Sequence, residues 1–373
     1  MLRRLLYASY GYSSHDHRFM SSAARAGWLV HHLRFDGGSS SLCAEPCPAG
    51  VLAEDWLGSH VRLDSKSHEQ FVEAIIKVAD RVQPHVVHAG PLTTVAPVVA
   101  SARLKPLLVM SWASDLLLDS PQSAQARQAA EWSISAASAV LVDAKSVADE
   151  AIAHGAQPDL VSIVPWGVDL DRFPVRDPQR PGHPLRLLCL RSHEPLYDVG
   201  TLIEALAYVH ARRGPIVELD IVGSGSLTSN LMGLADRLGV SHLIKWHGRV
   251  AEIDVANHLN GCHLHVSTSP IDGTSISLLQ AMASGRPSVA VDNASNREWI
   301  EDGATGWLYE AGNASGLADC IFGACDALET FPQMGRAARD RVETDGDWTS
   351  NRLRVLDIYD RLLVQAWPDW EPR

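Results

Sequence analysis

The chain has 373 residues, 46% of them apolar and 20% charged, with a formal charge of −12 and a pI near 5.7. That length fits two ordinary domains, and the acidic balance argues against sequence-independent binding of nucleic acid, which relies on a basic surface. No apolar stretch approaches a membrane span and six cysteines are too few for a disulfide scaffold, so a cytoplasmic protein is expected. The first predicted element is a strand at residues 4–10. Arg3 and Arg4 before the apolar stretch do not make a signal peptide, because that stretch is too short and too quickly interrupted. A helix at 16–27 follows, then strands at 84–89 and 106–112. Strands at 140–142 and 162–165 flank a helix over 145–154. The histidine pairs His31 with His32 and His263 with His265 have strand-like settings, which point to packing or surface placement. Cys43 and Cys47 lack a second ligand pair at zinc-site spacing.

The proline-dense, polar stretch at 175–184 predicts an interdomain linker. After it, strands at 185–190, 216–222, 243–247, 263–267 and 287–291 alternate with helices at 198–212, 226–238, 252–260 and 274–284. Each strand is short and apolar enough to be buried on both faces, so the pattern predicts parallel sheets covered by helices, α/β and doubly wound, in two domains. The expected division is 1–174, a linker at 175–184, 185–347, and a C-terminal helical segment at 348–373.

Residues 272–299 are the most informative stretch. Thr274 and Ser275 can cap a helix whose buried side is Ile276, Leu278, Leu279 and Met282, ended by Gly285 and Pro287. A polar turn feeding a helix N-terminus suits an anion, most often phosphate. Gln280 is expected on the side away from the apolar stripe. The segment resembles the signature of glycosyltransferase family 4, the retaining sugar-nucleotide transferases of the GT-B fold. Asp272 takes the place of its first acidic residue, and Gln280 that of the glutamate opening its Glu-Ala-Met-Ala-x-Gly-x-Pro run. The order of further elements agrees with the family: Pro84 to His88, Ser111 to Asp115, Pro165 to Asp169 with Phe173, Arg191 to Asp198, Ile221 to Ser226, and His247-Gly248.

The resemblance implies two Rossmann-like domains facing across a cleft, the N-terminal one binding the acceptor and the C-terminal one the nucleotide-sugar donor. The last helix crosses back to brace the first domain. It implies that Arg191 and Asp272 serve catalysis, with Asp115 as a third candidate, since it is kept in the Ser111 to Asp115 run. Arg191 neutralises the donor diphosphate, and Asp272 contacts hydroxyls of the donor sugar. Donor contacts are expected from Gly223, Gly225, His247, Arg249, Gly273, Thr274, Ser275, Gln280 and Glu298. Tyr197 stands near the place of a family lysine, and Trp112 where many members have histidine. The turn Gly11 to Arg18 offers His15 and Asp16 for the acceptor, or else caps the first helix through Ser14 or Asp16. A tryptophan cannot act as a general base, which suits a retaining reaction in which the departing phosphate oxygen takes the acceptor proton. Asp169 and Asp171 form an Asp-x-Asp pair, but the resemblance implies diphosphate binding without a metal and without a cofactor beyond the nucleotide sugar.

The expected activity is transfer from a nucleotide diphosphate sugar, UDP before GDP, to a sugar, lipid-linked or small-molecule acceptor in glycan, glycolipid or secondary-metabolite biosynthesis. No nucleic-acid partner is expected. The chain is expected as a monomer or homodimer, with peripheral contact at the inner membrane face allowed. The competing readings are a degenerate family member that binds without turnover, a sugar-nucleotide epimerase or phosphorylase of the same fold, and a dinucleotide-dependent oxidoreductase. The last rests only on Gly223 and Gly225, since Thr228 holds the position of the third glycine.

Overall fold

The computed structural model describes residues 2–39, 43, 45–64, 67–176 and 184–369. The chain divides into two compact units, Met1–Val164 with Ser350–Arg373, and Pro165–Thr349. Residues 177–183 of the expected linker lie outside the described residues.

In the first unit the order is β1 (Arg3–Ser9), α1 (Ser14–Arg25), β2 (Trp28–Arg34), β3 (Val51–Ala53), α2 (His68–Val82), β4 (Val86–Ala89), α3 (Val95–Ser101), β5 (Leu107–Met110), α4 (Ser120–Gln122), α5 (Ala124–Ala136), β6 (Ala139–Val142), α6 (Lys145–Ala153) and β7 (Val161–Ile163). The strands form one seven-stranded parallel sheet in the order β3-β2-β1-β4-β5-β6-β7. β4, β5 and β6 are buried along their whole length. That explains the unbroken apolar sequence of β5 and β6, and of β4 but for the buried His88, because helices cover both faces of the sheet. α2 buries Phe71, Ile75, Val78 and Val82 at spacings of four, three and four residues, and ends where Gln83 turns left-handed (φ 51°) ahead of Pro84. Each such fully buried side chain contributes roughly 1.5–3 kcal/mol. The final helix follows the second unit in sequence, and its residues from Ser350 onward belong to the first. There Tyr359 Oη lies 2.7 Å from His88 Nδ1, Arg3 pairs with Asp360 at 2.8 Å, and the Trp28 and Tyr359 rings meet edge to face.

The second unit holds β8 (Leu185–Cys189), α7 (Val199–Arg213), β9 (Val217–Val222), α8 (Thr228–Arg237), β10 (Ile244–Gly248), α9 (Glu252–Gly261), β11 (Leu264–Ser267), α10 (Ile276–Ala283), β12 (Ser288–Val291), α11 (Ala294–Arg297), β13 (Gly306–Tyr309), α12 (Ala314–Asp326) and α13 (Phe331–Asp345), and α14 (Trp348–Ala366) begins at its end. Its six-stranded parallel sheet runs β10-β9-β8-β11-β12-β13. Residues 165–174, expected with the first domain, group with this unit. Val168 N–H donates to Gly346 O at 2.7 Å, and Val168 O accepts from Trp348 N–H at 2.9 Å. Those main-chain bonds tie the segment to the end of α13.

Both sheets reverse winding once, between β1 and β4 in the first unit and between β8 and β11 in the second. Loops leave such a switch point in opposite directions and open a crevice at the carboxyl ends of the strands, where ligands of doubly wound sheets bind.

Several histidines lie inside these cores. Burial pushes His32, His88 and His265 down to about 3 and His263 to about 4, with nearby arginines adding to the effect for all but His88. The unfolded chain protonates these rings below about pH 6.5 and the folded chain resists it, so the stability they carry is complete above that pH and lost as pH falls. Asp16 and Asp115, raised by burial, act in the opposite direction but are outnumbered by the buried rings. Stability is therefore expected to fall by about 1.4 kcal/mol per pH unit per ring below pH 6.5. Urea midpoints at pH 7.5, 6 and 5 measure this, and a midpoint that stays constant would contradict it.

Candidate active site

In the second unit Arg191 leaves the carboxyl end of β8, and Ser267 ends β11 on the other side of the switch point. The Arg191 guanidinium is 8% exposed and bridges them. Nε and Nη2 reach Ser267 Oγ at 3.1 and 2.7 Å, while Nη2 also meets Asp272 Oδ2 at 2.6 Å and Ser275 Oγ at 2.5 Å. Nη1 stands outside this set. The Tyr197 ring lies 5.5 Å from the guanidinium carbon, and Thr268 Oγ1 donates to Tyr197 O at 2.7 Å, which fixes that loop against β11.

Ser275 caps α10, its hydroxyl accepting from Leu278 N–H at 3.4 Å. Asp272, Gly273, Thr274 and Ser275 thus bring the start of a helix to the buried arginine. A helix N-terminus carries about half a positive charge, and a guanidinium fork matches phosphate oxygens, so the pair suits a diphosphate. Asp272, partly exposed, offsets part of that charge while holding Arg191 in place. Gln280 is buried, as is every residue from Ser277 to Ala283, so α10 has no single apolar stripe for it to lie away from. The helix packs against β11, β12, α9 and α13.

Gly223 and Gly225 follow β9, and their role is close approach between loops. Gly223 has φ 151°, and a Cβ there would sit 2.1 Å from Arg191 O. At Gly225 a Cβ would come within 2.6 Å of His193 O. Ser226 N–H and Oγ bond the two carboxylate oxygens of Glu194 at 2.9 and 2.5 Å, and these bonds hold its carboxyl below the usual range. His193 Nδ1 lies 2.8 Å from Thr228 Oγ1. His193, Glu194, Ser267 and Thr268 were absent from the sequence candidates. The signals were present in the polar run that follows the apolar strand Leu264–Val266 and in the loop that carries Arg191.

His247 lies on β10, two strands from β8, with Nε2 2.5 Å from Asp220 Oδ1 on β9. Arg249 is exposed just beyond it. Glu298 closes α11, and its carbonyl accepts from Arg341 Nη2 at 3.0 Å. Asp169 pairs with Arg172 at 3.3 Å and accepts from Asp171 N–H at 3.1 Å. Among the described residues no three His, Cys, Asp or Glu side chains converge as metal ligands.

The first unit places its candidates differently from expectation. Ser13, not Ser14, caps α1, and Asp16 completes a capping box with it. The Asp16 carboxylate accepts from Ser13 N–H and Oγ at 2.8 and 2.6 Å and from Tyr7 Oη at 3.0 Å, so it is spent on the turn rather than offered to an acceptor. Gly11 sits against Asp36, where a Cβ would be 3.3 Å from Oδ2. The His15 ring meets Trp112 edge-on at 5.3 Å, and burial with nearby Arg18 lowers His15 to about 4. Asp115, expected to be catalytic, is 1% exposed and anchors a turn. It accepts from Ser111 Oγ at 2.5 Å, Leu92 N–H at 2.8 Å, Leu116 N–H at 3.0 Å and Trp112 N–H at 3.2 Å. Asp115→Ala would strand these donors and is expected to cost about 3 kcal/mol, read from the urea midpoint at unchanged slope.

Two doubly wound parallel sheets, with a buried arginine and a helix N-terminus at the switch point of the second, define the GT-B fold. Residues 185–326 match the family model described as Glycosyl transferases group 1, and they form a domain of that family. The chain is 26% identical over 265 residues to D-inositol 3-phosphate glycosyltransferase of Paenarthrobacter aurescens, covering 67% of this chain and 64% of that one. The chain spans between half and two thirds of the length of the curated relatives it matches first. Sucrose-phosphate synthase from Thermosynechococcus elongatus has the same fold, with a TM-score of 0.81 at 16% identity over 97% of this chain and 100% of that one. Anabaena Alr3699/HepE, solved in complex with UDP and glucose, superposes with a TM-score of 0.76 at 18% identity over 96% and 100%. No helix among the described residues is long and apolar enough to cross a membrane.

Proposed function

We propose that the chain is a glycosyltransferase that moves a sugar from a nucleotide diphosphate sugar, UDP in preference to GDP, to a hydroxyl acceptor with retention and without a metal. The observation that carries this is Arg191, buried at the switch point of the second sheet beside the N-terminus of α10. As the sugar–phosphate bond loosens, negative charge builds on the diphosphate. The guanidinium and the helix start stabilise that charge, and preorganised donors of this kind are worth roughly 3–4 kcal/mol each. UDP and glucose bound to Anabaena Alr3699/HepE support the choice of base.

Retention is supported by the first unit. Asp16 and Asp115 are consumed by their turns, and His15 at about 4 is a weak base at neutral pH. The proton then passes to the leaving phosphate oxygen, and the acceptor attacks from the leaving-group side. Incubation with UDP-glucose, UDP-N-acetylglucosamine, UDP-galactose and GDP-mannose tests the reading, with saturable binding or slow hydrolysis of at least one expected. A folded sample that binds none would sink it.

The second reading, binding without turnover, is favoured by the Arg191–Asp272 ion pair and by Tyr197 in place of a lysine, which together leave the cradle short of positive charge. On the leading reading Tyr197→Lys adds the second cation and tightens UDP binding by about tenfold at low salt. Equal affinity for the variant, with no hydrolysis by either protein, would favour the second.

A further inference from the structure

The first unit carries a cavity of about 780 Å³ that plays no part in the turns described above. One wall is a face of α5. Gln125, Gln128, Trp132 and Ser135 line the cavity at spacings of three, four and three residues, while the helix gives Ala130, Ser133 and Ile134 to the core. Trp132 is therefore not needed for packing, and it is 46% exposed.

The indole is nevertheless held. Ser101 Oγ donates to Pro97 O at 2.8 Å, so at 3.3 Å it accepts from Trp132 Nε1–H and, also at 3.3 Å, from His68 Nε2–H. Those bonds fix the indole at its Nε1 edge and leave His68 Nδ1 as an acceptor. Thr93 and Thr94 add hydroxyls. Among the described residues lining the cavity none is Lys or Arg; Arg127 pairs with the lining Glu131 at 2.9 Å, Arg62 stacks on the lining Tyr10, and Asp64 adds a carboxylate, so the described lining offers no cluster of cations for a phosphate. A fixed aromatic surface beside amides, hydroxyls and two carboxylates matches a sugar ring, with apolar C–H groups on one side and hydroxyls at the rim.

We propose that this cavity binds a neutral saccharide, one ring stacked on Trp132 with its hydroxyls bonded to Gln125, Gln128 and His68. The assignment of that saccharide as the acceptor rests on the transferase reading. The binding itself does not.

Calorimetric titration of the full chain with maltotetraose, cellotetraose, mannotetraose and chitotetraose tests it. At least one is expected to saturate. Trp132→Ala should weaken that binding about tenfold, Gln128→Ala about threefold, and Trp132→Phe less than threefold, with UDP affinity unchanged in all of them. No saccharide binding by the folded chain would overturn the proposal, as would a Trp132→Ala variant of undiminished affinity. So would capture of Trp132 by phosphatidylglycerol vesicles, seen as a blue-shifted emission, with no response to any saccharide. Failure to bind any nucleotide sugar would strike the transferase reading alone and leave the saccharide affinities standing.

Discussion

Arg191→Ala is expected to lower kcat/KM for the nucleotide sugar by about 10² to 10³, the effect of removing one preorganised donor to developing negative charge. The variant also leaves Asp272 Oδ2, Ser267 Oγ and Ser275 Oγ without the donor they share, at a cost of about 2 kcal/mol in stability. Thermal unfolding alongside the kinetics separates the two effects. Arg191→Lys keeps the charge, but a single ammonium cannot span Ser267 and Asp272 as the fork does, so only part of the rate is expected to return. An alanine variant that folds and turns over at the original rate would remove Arg191 from the chemistry.

Gly223→Ala tests the same site through the main chain. Gly223 has φ 151°, where a side chain is strained, and its Cβ would sit 2.1 Å from Arg191 O. Either the β9 loop or the Arg191 loop must move. Gly223 N–H donates to Gly248 O at 2.8 Å, so a shift of the β9 loop also pulls on the end of β10. The expected result is a loss of about 2–4 kcal/mol in stability together with weaker nucleotide binding, measured by urea denaturation and by UDP titration. Gly239→Ala is the control. Its φ is 73°, but no atom lies within 4 Å of the added Cβ, so a cost in stability without loss of binding is expected there.

The sequence made the alternation of strands and helices legible because the strands of a covered parallel sheet are short, continuous apolar runs bounded by turn residues. β8, β9, β11 and β12 lie within a residue or two of the expected strands. α2, α3 and α5 are not among the expected elements, and neither are β13, α12 and α13, whereas α14 falls in the expected C-terminal helical segment. α3 illustrates the reason. It is seven residues long with a proline inside and valines through it, so it follows neither the helical period nor helix propensity and is held by burial in the sheet's cover.

At the site, Arg191, Asp272 and Ser275 are picked out by the resemblance, residue by residue along the chain. Their mutual bonding is not, because it joins residues 81 and 84 positions apart across a switch point. Asp115 and Asp16 looked like chemistry for the opposite reason. A carboxylate near a ligand-facing turn is also the group that organises such a turn, and only the count of its donors distinguishes the two roles. Gln280 is expected away from an apolar stripe that α10, buried from Ser277 to Ala283, does not have.

The most direct test is a crystal structure of the complex with UDP, or with GDP if that binds more tightly. The account predicts diphosphate oxygens within about 3 Å of Arg191 and of the main chain at Gly273 to Ser275. A nucleotide bound elsewhere, or one whose diphosphate leaves Arg191 in its ion pair with Asp272 and makes no contact with the start of α10, would contradict it.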